Sequence, residues 1–291
     1  MSDVQVVLDN RVRLVGAVLA ASDWPALEQA GTPHAVHAQA KFTGQYVMPH
    51  QGHPAVQLAN RFIAQDVPVA DLFQAAVQCE WASFETQAPL PGSFAAGDWV
   101  EALADFYVDT AIAAFFWADH NKLWETSAGE IERIVHRSTL PAFLGRLMNI
   151  EPPPIQAMPN LTYPSLQSLA VSPPDSILAI LPPPRAYGES PPWPYGEEAD
   201  WVLSQICSST LQLLLSRQLS DAGREKIELL AHAATALFLE GSMSEADSKA
   251  YLVHHRQSYD QEQLPPIMEG LREQLQDENS SGLGDIAAHI V

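Results

Sequence analysis

With 291 residues, 47% of them hydrophobic, the chain can bury a sizeable core as one large domain or two small ones. Its 35 acidic against 15 basic residues give a formal net charge of −20, so it lacks the basic stripe that a phosphate backbone requires. Nucleic acid and anionic membrane surfaces are therefore excluded as expected partners, while a cationic partner is compatible with a charge that otherwise serves solubility.

In chain order, Val4 to Leu8 reads as a short strand, followed by a helix from Arg13 to Ala21. The run Arg11 to Ala21 superficially resembles a signal peptide, but Asp3 and Asp9 spoil the positive leader and a β-like segment precedes it. No stretch approaches the roughly 20 apolar residues needed to span a bilayer. Cys79 and Cys207 each sit among apolar residues and read as buried free thiols, which fits a reducing, cytoplasmic location. Further helices are expected from Asp23, from His53-Pro54 and from Asp66-Val-Pro68. Asp98 to Glu101 and Ser127 to Glu130 both have capping-box spacing. Between them one long aromatic helix is expected, through Trp99, Phe106, Phe115 and Trp124, with its stripe serving the core.

The character changes after Asn149. Between Pro152 and Pro194 lie 13 of the 23 prolines, which rule out a long helix there. Leu166 to Val171 and Ser176 to Leu181 read as a strand pair joined by a turn at Ser172 to Asp175. A Pro- and aromatic-rich loop follows, from Pro182 to Tyr195. Helical patterning resumes from Glu197 to Arg217, then at Arg224 to Glu240, Glu245 to Gln257 and Pro265 to Gln276. The reading is thus a predominantly helical α+β chain. Residues 1–150 form a helical part with a leading strand, and 151–276 hold the strand pair, the loop and a helical end. The two parts make one compact unit, followed by a flexible tail at 277–291.

Three segments carry a family resemblance: Val12-Arg-Leu-Val-Gly-Ala-Val-Leu-Ala20, His53-Pro-Ala-Val-Gln-Leu-Ala59, and Phe106-Tyr-Val-Asp-Thr110 with Phe115-Phe-Trp-Ala-Asp-His120. In this order, around a strand pair and before an all-helical end, they resemble a bacterial family of uncharacterised gluzincin-like metallopeptidases. The resemblance implies a zincin-like fold, a small sheet packed against a long active-site helix. In such a family that helix carries H-E-x-x-H, since i and i+4 share a face and let two imidazoles reach one Zn²⁺ while the glutamate serves as general base. Here the positions that align with the motif are Ser204, Gln205 and Ser208. Serine hydroxyls are poor zinc ligands and glutamine cannot accept the proton. Glu225 and Glu228 both fall where a third ligand would stand. The resemblance therefore implies lost metal chemistry, with no metal, no cofactor and no catalytic residue to name.

Other constellations compete with structural readings. His34 and His37 with His50 and His53 form two H-x-x-H pairs able in principle to hold a metal, although the segment offers no acid to orient the rings and His53 also suits a helix start. His254 and His255 diverge by about 100° on a helix and read as surface residues. Ser204, Cys207 and Ser208 lack the elbow and the base that a nucleophile needs. In the loop, Tyr187, Trp193 and Tyr195 are candidate contacts for a peptide or protein, on a proline-stiffened backbone that loses little entropy on binding; alternatively they cap the core. Two function classes follow. One is an inactive zincin-like domain acting in binding or scaffolding; the other is a peptidase-like hydrolase with a displaced site.

Overall fold

The structure, a computed structural model, describes residues 3–94, 98–162, 165, 167–184, 192–255, 263–276 and 283. Among these, four short strands form one mixed sheet: β1 (Gln5–Val6), β2 (Ile155–Pro159), β3 (Leu169–Val171) and β4 (Ile177–Leu181), in the order β1-β2-β4-β3. β1 runs parallel to β2 and β2 parallel to β4, while β3 pairs antiparallel with β4 in the register Leu169↔Ile180 and Val171↔Leu178. All five residues of β4 are buried, which explains a continuous apolar run in place of alternation. The expected strand pair is therefore present, its turn closed by Ser172 Oγ donating to the Ser176 carbonyl at 3.1 Å. β2 was not expected. Ile-Gln-Ala-Met-Pro is short and flanked by proline, and only its place between β1 and β4 makes it a strand.

The rest is predominantly helical, which bears out the coarse α+β reading. Helix α1 (Asn10–Ala21) starts earlier than the apolar pattern suggests because Asp9 caps it, accepting from Arg11 N at 2.8 Å. Every residue from Val12 to Leu19 is buried, so α1 is a central helix rather than an amphipathic one. Helices α2 (Trp24–Gly31), α3 (Ala38–Val47), α4 (Pro54–Ala64) and α5 (Val69–Val77) follow. Among them α1 packs on α3, α4 and α5.

The single long aromatic helix does not form. Instead α6 (Asp98–Thr110) stops where Ala111 takes a left-handed φ of 47°, and a π-helical turn over Ala113–Trp117 leads into α7 (Ala118–Val135). Thr110 ties its hydroxyl to the Phe106 carbonyl at 2.6 Å, and Tyr46 donates to the Thr110 carbonyl at 2.8 Å, so the last carbonyls of α6 are taken. The second capping box also fails. α7 runs unbroken through Ser127, which is buried against neighbouring packing.

After α8 (Leu140–Met148), left-handed Asn149 ends the N-terminal helices. Beyond the sheet come α9 (Ala199–Gln218), α10 (Arg224–Ser242), α11 (Glu245–His254) and α12 (Leu264–Gln276), close to the ranges expected for them. α9 packs on β3, β4 and α10; α7 reaches β1, β2 and α9. One cluster of buried hydrophobic residues extends from Val4 to Leu283 and joins both halves of the chain. Among the described residues, no helix is long and apolar enough to cross a membrane. The expected tail lies outside the described residues, save Leu283.

Candidate functional site

Helix α9 is wholly buried from Val202 to Leu211, and three of its polar residues, Ser204, Gln205 and Ser209, are tied by hydrogen bonds. Ser204 Oγ donates to the Trp201 carbonyl at 2.8 Å. Gln205 Oε1 accepts from Ser168 Oγ at 2.9 Å, tying α9 to the segment that leads into β3. Ser209 Oγ donates to the Gln205 carbonyl at 2.7 Å. Cys207 is fully buried and burial pushes its thiol up to about 12, so it stays a neutral packing group.

The three residues aligned with the metal motif part company. Ser204 faces a cavity of about 680 Å³, Gln205 turns to Ser168, and Ser208 is buried outside that cavity's wall. The cavity lies beside the first turns of α9. Trp193, Glu198, Trp201, Tyr251, His254 and His255 form much of its wall. Glu198 precedes the first turn of α9, and burial, then Asp200 and Glu197, push its carboxyl above the usual range.

Tyr251 and His255 of this wall belong to a group that the sequence pattern did not connect. His232 on α10 and Tyr251 on α11 meet at 2.7 Å between Nδ1 and the phenol oxygen. The His255 ring lies 4.9 Å from that of His232 and 4.6 Å from that of Tyr251. Burial lowers the pKa of His232, and burial together with the two neighbouring histidines lowers His255 to about 3. These rings are neutral at physiological pH and give the cavity a polar, uncharged side. The expectation that His254 and His255 are both surface residues holds for His254 alone. His232 was missed because its neighbours come from another helix, about 20 residues away.

The aromatic loop divides as well. Trp193 is 41% exposed and lines the cavity, open to a ligand. Tyr195 is 2% exposed and its hydroxyl donates to the Leu181 carbonyl at 2.8 Å, so it fastens the loop to the end of β4 and is a core residue. Burial raises its pKa well above the ordinary range. Tyr187 lies outside the described residues.

Two of the N-terminal histidines, His37 and His53, are used as caps. His37 Nδ1 accepts from Gln39 N and His53 Nδ1 accepts from Ala55 N, each at 3.1 Å, opening α3 and α4. His34 binds the Thr32 carbonyl through its Nδ1 at 2.7 Å. Among the described residues, no group of three or more His, Cys, Asp or Glu side chains is placed to hold a metal ion. No family model, no curated protein and no solved structure matches this chain.

Proposed function

We propose that this chain is a catalytically inactive, zincin-like binding domain that takes a peptide segment of a partner protein in the cavity beside α9. The observation that carries the reading is Ser204. Ser204, on the helix that packs on the sheet, lines a cavity of about 680 Å³, and it is the residue that the sequence resemblance aligns with a metal ligand. The Ser204 hydroxyl is bonded to its own helix backbone, and a serine hydroxyl is a poor ligand for zinc. A cavity of this size, with two indoles and a few polar groups in its wall, suits a peptide side chain or two. Two buried free thiols support a reducing location, proposed as the cytoplasm.

The test has two arms. Purified protein is screened against a broad peptidase substrate set with and without added Zn²⁺, and against an immobilised random-peptide library. Peptide capture without turnover is expected, with Trp193→Ala weakening capture about tenfold or more as an exposed aromatic anchor is lost. Zinc-dependent turnover would sink the inactive-domain reading in favour of a hydrolase. Capture that ignores Trp193→Ala would move the binding surface away from this cavity.

A further inference from the structure

Arg13 occupies an unusual place for a cation. It lies within α1, is only 4% exposed, and its guanidinium carbon sits 4.3 Å from the ring centre of Trp117 and 4.7 Å from that of Trp124. Burial shifts its pKa down to about 10, so the group keeps its proton at neutral pH, and among the described residues no carboxylate is a cause of the shift. Of its donors, Nη1 reaches Asn10 Oδ1 at 3.1 Å, whereas Nε and Nη2 are buried with no partner. Trp124 is itself fully buried and its Nε1–H is likewise unpartnered. On α3, which packs against α1, the fully buried Gln39 and Thr43 leave both amide atoms and the hydroxyl unpartnered.

A cation–π contact offsets only part of the cost of burying a charge, and ring faces cannot serve donors that point along the guanidinium plane. The pair of donors left open is Nε with Nη2, the side-on fork whose spacing matches the two oxygens of a carboxylate. Trp117, one of the two covering rings, ends the π-helical turn, a feature that recurs at functional sites.

We propose that Arg13, packed against Trp117 and Trp124, forms a buried binding site for a small monocarboxylate, held side-on by Nε and Nη2. A single negative charge neutralises the one buried cation, whereas a phosphate dianion would overcharge the site. Arg13 is not part of the cavity wall beside α9, so this site is independent of the peptide reading. Because the group is enclosed, entry needs local opening, and binding is best read at equilibrium.

The experiment is thermal unfolding and titration calorimetry of dialysed protein with sodium acetate, sodium formate and inorganic phosphate, against sodium chloride at matched ionic strength. Acetate or formate should raise the Tm saturably and bind with one-to-one stoichiometry, with a Kd of about 0.1–10 mM for a ligand of so few atoms. Arg13→Met should fold at least as stably as the wild type in chloride, since an unpaired buried charge is removed, and should lose the saturable response. Arg13→Lys keeps a cation on the same stem but lacks the two-donor fork; it should weaken acetate binding about tenfold or more, and it serves if Arg13→Met does not fold. An equal response to chloride, or one retained in Arg13→Met, would overturn the proposal. So would preference for phosphate.

Discussion

At the scale of single residues, titration separates groups that look alike in sequence. His254 and His255 are adjacent, yet His254 is exposed while His255 is part-buried, and the pKa of His255 is lowered from 6.5 to about 3, first by burial and then by His232 and His254. The folded chain holds this ring neutral while the unfolded chain takes up a proton near its ordinary pKa. Its contribution to stability is therefore complete above pH 6.5 and is lost as the pH falls from there toward 3. The Tm should drop between about pH 7.5 and 5.5, above the range of ordinary carboxylates, and His255→Asn should flatten that slope. An unchanged slope in the variant would show that the ring does not titrate in this way. His232 adds to the same trend, since burial lowers it too, against a smaller opposite effect of Glu228.

At the scale of elements, close approach decides more than propensity. Gly16 lies midway along α1, where alanine would ordinarily gain about 1 kcal/mol of helix propensity. Here a Cβ would stand 2.5 Å from Thr162 Oγ1, which is buried and donates to Asn160 Oδ1 at 2.9 Å. The hydroxyl cannot swing aside without losing that bond, and overpacking of this kind costs about 1–3 kcal/mol. Gly16→Ala should lower the stability measured by denaturant unfolding, and Thr162→Ala in the same chain should recover part of the loss. The sequence shows helices well where apolar spacing and terminal charges agree, as in α9 with Asp200 at its start and Arg217 at its end. It does not show the break at Ala111, because a left-handed alanine is set by tertiary packing and has no local signature. It hides β2 for a similar reason, since only the strands on either side complete that short run. Of the residues that line the cavity, Ser204 and Trp193 already stand out in the sequence. His232, Tyr251 and Trp201 do not, because what makes them neighbours is the packing of α9, α10 and α11.

At the scale of the whole molecule, the two halves named from composition are stitched into one body. β1 from the N-terminus pairs with β2, α5 packs on β3, and α7 spans β1, β2 and α9. Unfolding should therefore be one cooperative transition, with coincident curves from far-UV and near-UV circular dichroism, and separated midpoints would mean that the halves unfold independently. The β1–β2 pairing also sets a schedule for synthesis. Gln5 meets Gln156 across that ladder, so the first strand leaves the ribosome about 150 residues ahead of its partner. At about 5–20 residues per second, that is a wait of order ten seconds with the apolar length of α1 lacking its final cover. A contact so distant in sequence carries a large loop-closure cost and is slow to form compared with local helix contacts.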